Sequence, residues 1–240
     1  MTDGPSFTPP PPPVFPTTPI PPPPTPPQRS GPPWEQPGPF LQRFVDTLRG
    51  VLLDPTNFFR TMRREGGIVQ PFTFYLVCGA VVLAMSLFWN LAGFGMGSFG
   101  GRGDFGPAAG AGLLTGVIGL LIFGCIFLVI GTFIWAGILH VCLMLIGGQK
   151  YSFEATFRVV CYASGGPSLW SIVPMCGGII GGIWSIVATI IGLAEVHETT
   201  TGKAAVAVLL PLIACCVFVA IVAMLVGVSF ARMMQGGGGY

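Results

Sequence analysis

The chain has 240 residues, of which 52% are hydrophobic and 8% charged, with a mean hydropathy of +0.76. Soluble domains carry roughly three times that share of charge, and nine acidic and eleven basic side chains cannot clothe a water-facing surface. An ordinary soluble domain is excluded, and so is a nucleic-acid binder, which needs a basic face to neutralise phosphates.

Residues 1–39 hold 18 of the 24 prolines, with unbroken runs at 9–13 and 21–24. Such a segment lacks backbone donors and favours extended polyproline conformations. It reads as a disordered proline-rich tail. It has neither the basic start nor the apolar centre of a signal peptide. A plain solvated spacer is one role for it. The other is a ligand for a proline-binding groove, decorated by Phe7, Phe15 and Trp34, which makes a cytoplasmic protein a candidate partner of the tail.

Residues 40–67 read as amphipathic juxtamembrane helices. Phe40, Phe44, Leu48 and Leu52 recur every four residues, with Arg43 and Arg49 on the polar side. Asp54-Pro55 restarts the helix, Asp54 as N-cap and Pro55 at the first position. Phe58, Phe59 and Met62 then form an apolar face, Arg60, Arg63 and Arg64 supply charge, and Gly66-Gly67 ends the helix. Basic helices beside a span lie in the interface and favour anionic lipid, so Arg43, Arg49, Arg60, Arg63 and Arg64 are the candidate lipid-facing residues. The alternative is that the apolar face packs on the protein's own bundle.

Four long charge-free runs come next, of 36, 45, 36 and 28 residues, together 145 of the 240. A spanning helix needs about 20 mostly apolar residues, and lipid requires every backbone polar group to be paired within the segment. The short alternating segments of a barrel are absent. The first span is 72–92, with Trp89 as an interface anchor at its far end. Residues 113–146 contain no Pro, Asn or Asp and read as one long tilted helix, about 51 Å long. Pro167, Pro174 and Gly177-Gly178 break the next run into a hairpin, 154–173 and 178–195. The last span is 204–231, with Pro211 in its first turns, and a glycine-rich tail occupies 233–240. The expected fold is an all-α polytopic membrane bundle of five transmembrane helices over 68–232.

With the N-terminus in the cytoplasm, nine of the eleven basic residues lie inside, leaving only Arg102 and Arg232 outside. Four spans give the same ratio, so charge alone does not choose between four and five. The Pro and Gly breakers make that choice. The expected location is therefore an integral membrane protein with its ends on opposite sides, in the cytoplasmic (inner) membrane for a bacterial chain.

Motifs for chemistry are sparse. Gly95-Met96-Gly97-Ser98-Phe99-Gly100 matches GxGxxG, but it comes after a membrane span rather than a strand, inside a glycine-rich loop at 93–112. Arg102-Gly103-Asp104 in the same loop is a chance match of equal weight. The seven cysteines have no CxxC spacing. His140 stands alone and reads as a bundle histidine. With no HExxH and no carboxylate pair beside a catalytic partner, the expectation is a protein that is not an enzyme and carries no cofactor or metal.

The other polar residues gather at the expected inner rim. Glu154 and Arg158, four apart on one helix, are set to pair. Glu195, His197 and Glu198 come after the fourth span and Lys203 precedes the fifth. These six form a candidate polar cluster, because ionisable groups near membrane helices are functional suspects. The other reading is that they staple helix ends at the water boundary. Gly177xxxGly181 and Gly178xxxGly182 allow close helix contact, within the chain or in a homo-oligomer.

Several of these features resemble the YIP1-domain family, in its bacterial branch, over about residues 44–230. They are Asp54-Pro55 with Phe58-Phe59 and Met62, Gly66-Gly67, and Pro71 opening the first span. Gly147-Gly148, Phe153, Arg158, Tyr162, Pro167 and Pro174 come next, then Trp184, Gly192-Leu193, Glu195, His197 and Lys203-Ala204. The resemblance implies a five-span membrane protein with a cytosolic N-terminus. Eukaryotic relatives assist vesicle trafficking and associate with prenylated Rab GTPases, a role that comes to this chain only by analogy. The expected function is membrane organisation or partner scaffolding, with the lipid bilayer as first partner. The alternative is a small transporter or channel with a polar path at the inner rim.

Overall fold

The computed structural model describes residues 29–91, 118–119, 121–174 and 176–236. The loop at 93–112, with its GxGxxG and Arg-Gly-Asp matches, and residues 1–28 of the proline-rich tail lie outside the described residues. Among the described residues all regular structure is helical: α1 (Phe40–Leu53), α2 (Pro55–Thr61), α3 (Val69–Leu91), α4 (Leu121–Leu145), α5 (Phe153–Ser168), α6 (Gly177–His197) and α7 (Thr201–Gly236). Inside α4, the segment Phe127–Gly131 is π-helical. Helix α7 continues to Gly236, so the first part of the expected glycine tail at 233–240 is helical.

The five long helices alternate in direction. At one end, the rim, the starts of α3, α5 and α7 meet the ends of α4 and α6. Glu154 of α5 accepts the Gly67 N–H just before α3 at 2.7 Å, and Lys203 of α7 donates to the Gly147 carbonyl just after α4 at 3.0 Å. At the far end, Trp89 of α3 donates its indole N–H to the Ile172 carbonyl at 2.9 Å.

Among the described residues four helices, α3, α4, α6 and α7, are long and apolar enough to cross a membrane. The expected span at 154–173 is different. Helix α5 has 16 residues and tightens into a 3-10 turn, Leu169–Ile172. It nevertheless reaches from the rim to Trp89, the full height of α3. Nearly all of it is buried, from Ala155 to Pro167, because α3, α4, α6 and α1 all pack against it. Lipid therefore never tests its side chains, and it can carry Thr156, Arg158 and Tyr162 where a lipid-facing span could not. Its outer wall is aromatic: Phe157 stacks on Phe133 at 4.5 Å and meets Phe72 at 5.9 Å, while Tyr162 meets Phe74 at 5.3 Å.

The hairpin from α5 to α6 closes as its breakers dictate. Val173 is extended, as a residue before proline prefers to be, and Pro174 starts the turn. A Cβ on Gly177 would sit 1.8 Å from the Trp170 carbonyl oxygen, and one on Gly181 2.5 Å from that of Pro167. The first GxxxG thus serves contact within the chain. Gly182 faces open space, and the nearest atom to a Cβ on Gly178 is the Ser171 hydroxyl at 3.9 Å.

The N-terminal layer covers the rim half of the hairpin. Asp54 caps α2 as expected, accepting the Asn57 N–H at 3.2 Å. Helix α2 is shorter than the Asp54–Gly66 spacing suggests. It stops at Thr61, and Met62 is already extended. The contacts of the next residues end it there: Arg64 swings over the Tyr151 ring at 3.8 Å, and the carbonyls of Arg63 and Gly67 turn inward. Gly66 and Gly67 adopt φ +129° and +90°, conformations that side chains resist. Val51, Phe58, Phe59 and Met62 are buried. The bundle-packing reading of this face is what the fold adopts.

The tail boundary at 39 is corrected. Residues 29–35 pack on the bundle, with Trp34 4% exposed inside an aromatic box of Phe40, Phe44 and Phe74. Its indole N–H reaches the Gln70 carbonyl at 2.9 Å. A large aromatic can bury its body there because its one polar atom finds a partner.

Gly181→Ala forces its new methyl against the Pro167 backbone, which cannot swing aside. We expect a loss of about 1–3 kcal/mol, read as a lowered thermal midpoint in detergent, while Gly182→Ala leaves the midpoint unchanged. Equal effects at both positions would mean that the hairpin is not packed through Gly181.

Candidate functional site

The six rim residues fall into three clusters. The first is built on α5. Arg158 and Tyr162 are one turn apart and both wholly buried. The Arg158 guanidinium donates to the Arg63 carbonyl at 2.9 Å, the Gly67 carbonyl at 2.6 Å and, in a short ion pair, the Glu35 carboxylate. The Tyr162 hydroxyl donates to the same Glu35 oxygen at 2.8 Å. The Arg158 side chain is 0% exposed and that of Glu35 6%. The expected Glu154–Arg158 pair is not formed. Glu154 turns to the Gly67 N–H, and Arg158 turns inward to a carboxylate 123 residues away in sequence. The inward position lets the charge reach two carbonyls and an acid at once, which a surface i,i+4 pair does not offer.

The second cluster joins α2 to the end of α6. Arg60 pairs with Glu195 at 3.3 Å. Arg64 forms a short ion pair with Glu198 and donates to the Val196 carbonyl at 3.0 Å and the Tyr151 hydroxyl at 2.6 Å. Arg29 lies 3.7 Å from the same Glu198 carboxylate and donates to the Phe59 and Met62 carbonyls. Glu198 is the one described residue other than glycine at positive φ, +50°. Helix α6 ends there in a left-handed residue, and the Lys150 ammonium donates to its carbonyl at 2.7 Å. The hydrogen bond from Arg64 holds the Glu198 carboxyl below the usual carboxylate range. The bond that Arg60 donates to Glu195 raises the Arg60 guanidinium.

The third cluster is a relay under the α4–α5 turn. The backbone N–H groups of Lys150 and Tyr151 both point at His197 Nδ1, each at 3.3 Å. Nδ1 is therefore the bare nitrogen, and Nε2 carries the hydrogen. Nε2 faces the Thr156 hydroxyl at 3.0 Å, which lies 2.8 Å from His140 Nδ1. The hydroxyl accepts from His197 and donates to His140. His140 is thus a bundle histidine bound to α5. Lys203 belongs with this turn through Gly147.

Of the candidate lipid-facing bases, Arg64 is committed to Glu198 and Arg60 to Glu195, while Arg43 lies over the Trp34 ring at 5.3 Å and donates to the Gln36 carbonyl at 3.1 Å. Arg49 and Arg63 are exposed. Among the described residues no group of three or more His, Cys, Asp or Glu is set to hold a metal. The residues that sequence reading missed are Glu35, Thr156 and Tyr151; Tyr162 entered only through the family resemblance. A further signal for Tyr162 was its i,i+4 spacing from Arg158, which puts a charge and a hydroxyl on one helix face.

A model of the Yip1 domain matches residues 49–224. The chain belongs to the Yip1 family. Comparison with curated proteins and with solved structures returns no match. The Yip1 match runs from the end of α1 into α7 and contains Arg158, Tyr162 and all six rim residues. Arg29, Trp34 and Glu35 lie outside it.

Removing one partner from a buried ion pair strands the other. Glu35→Leu is expected to cost about 3–5 kcal/mol, measured by unfolding in mixed micelles, and Glu35→Leu with Arg158→Met to recover most of that loss. The second cluster sets a pH response. A depressed carboxyl adds stability above its ordinary range and loses it as pH falls through the folded value. Arg60, raised, loses its contribution only at alkaline pH beyond working conditions. Hydrogen-exchange protection of residues 55–67 should therefore hold above about pH 5 and fall as pH drops below the ordinary glutamate value of about 4.3, with Glu198→Gln already low and nearly flat across that range.

Proposed function

We propose that this Yip1 protein is a non-enzymatic organiser of the bilayer or of membrane partners, with the α1–α2 layer as its working surface. The observation that carries the reading is the two-sidedness of α1. One face is pinned to the bundle through Val51 and Thr47, while Leu41 is 70% and Leu53 80% exposed beside exposed Arg49. Apolar side chains next to a cation suit the boundary between acyl chains and headgroups. The lipid bilayer is then the first partner. A cytoplasmic protein on the proline-rich tail and a second copy of the chain are further ones.

In this reading the rim faces the cytoplasm with the N-terminus, and the end of α7 lies across the membrane. The gathering of Arg29, Arg60, Arg63, Arg64, Lys150 and Lys203 at one end supports that orientation under the positive-inside rule. The transporter reading is weaker. Its proposed path residues are taken up by other side chains of the chain: Glu195 by Arg60, Arg158 by Glu35, His140 by Thr156.

The test is lipid composition around the full chain in nanodiscs that mix zwitterionic and anionic lipid. Wild type should retain an excess of anionic lipid, by mass spectrometry of the annulus. Arg49→Gln with Arg63→Gln should lower that excess by up to about fivefold per charge removed. An unchanged excess would remove the lipid part of the proposal.

A further inference from the structure

Residues 29–36 act as a strap across the bundle, and their grip is concentrated in two neighbouring side chains. Trp34 fills the aromatic box and gives its N–H to Gln70; Glu35 enters the socket made by Arg158 and Tyr162. Box and socket share a wall, because Phe74 touches both Trp34 and Tyr162. The strap's only regular structure is the three-residue turn Pro33–Glu35, flanked by Gly31 and Gly38. Arg29 and the Gly31 N–H add main-chain contacts to Phe59, Met62 and Thr61. The socket lies inside the Yip1 match and the strap outside it.

We infer that the Arg158–Tyr162 socket with its aromatic box is an exchangeable receptor for a short segment bearing Trp followed by an acidic residue, of which the strap is the resident ligand. The enclosed charge sets the condition for exchange. An empty socket would leave Arg158 buried without a counter-ion, which is strongly disfavoured. The socket therefore changes occupant only when another carboxylate replaces the first. The box adds the second requirement. Edge-on phenyl rings accept any aromatic ring, but the Gln70 carbonyl rewards an N–H and so selects indole over phenyl. Because Trp34 and Glu35 are adjacent, one dipeptide meets both demands. The proline-rich sequence runs directly into the strap, so whatever holds that sequence also bears on the latch.

The experiment uses the full chain in detergent with a protease site inserted between Pro37 and Gly38, where the chain is exposed. The protein folds intact and is cut afterwards. The probe is a fluorescent peptide of residues 29–39 with blocked ends. The cut N-terminal fragment should stay bound, leave on addition of excess peptide and be replaced by it one for one. A peptide with Glu35→Gln should bind at least about tenfold more weakly, the loss expected for a charge-assisted bond, and one with Trp34→Phe should also bind more weakly. A fragment that leaves on cutting with no uptake of peptide overturns the inference. So does a fragment that no excess of peptide displaces, and so does equal binding of the Gln peptide. Lipid enrichment measured after the cut protein is moved into mixed-lipid nanodiscs reads the bilayer proposal separately, since the Arg49 and Arg63 side chains take no part in the socket.

Discussion

A guanidinium sealed from water at the centre of a helix bundle dictates much of the structure around it. Arg158 carries a full positive charge, and its own helix offers it no acid within reach once Glu154 has gone to Gly67. The chain answers from three directions. The Arg63 and Gly67 carbonyls come from the connection before α3, the Glu35 carboxylate from the strap, and the Tyr162 hydroxyl steadies that carboxylate from the next turn. Each requirement has a structural consequence. Presenting two carbonyls inward ends α2 at Thr61 and calls for glycine at positive φ. Delivering the acid pulls residues 29–35 of a proline-rich segment onto the bundle.

The same helix is central for a second reason. Lipid offers no hydrophobic drive to bring helices together, so close packing and internal hydrogen bonds must do it. Helix α5 is rich in small side chains, among them Ala155, Cys161, Ala163, Gly165 and Gly166, and its neighbours supply large ones. A Cβ on Gly165 would stand 3.3 Å from Phe74 and from the Tyr75 backbone, and one on Gly166 3.3 Å from Val51. Small residues at the centre let α3 and α1 approach on two sides, and the glycines of α6 admit the third. The shielding so produced is what allows a helix with a charge, a tyrosine and a proline to run the height of the bundle.

Much of this was legible beforehand, because lipid solvent imposes rules that act locally. Long apolar runs named α3, α4, α6 and α7, the Pro and Gly breakers placed the hairpin, and Asp54-Pro55 placed a helix start. The rim residues gathered because they flank helix ends, and helix ends share a plane when spans alternate. The features that were not legible depend on contacts remote in sequence. Glu35 looks like one acid in a tail of prolines until Arg158 is seen to lack a partner. Trp34 reads equally as a solvated decoration until its box is assembled from α1 and α3. The pairing of Glu154 with Arg158 failed for the same reason: spacing shows who stands on one face, not which face is turned inward.

The two kinds of charge at the rim end with different physical roles. Arg60, Arg64, Arg29 and Lys150 are spent on Glu195, Glu198 and nearby carbonyls, and their bonds hold α2 and the strap to the end of α6. A charge neutralised by its own chain has little field left for lipid or solute. Arg49 and Arg63 are exposed, and Arg49 rides on the helix whose Leu41 and Leu53 are bare. Basic character alone therefore overstates the surface proposed for lipid contact, and exposed charge beside exposed apolar neighbours is found on α1. The bundle's internal ion pairs set where that helix lies, and the residues left over decide what it can touch.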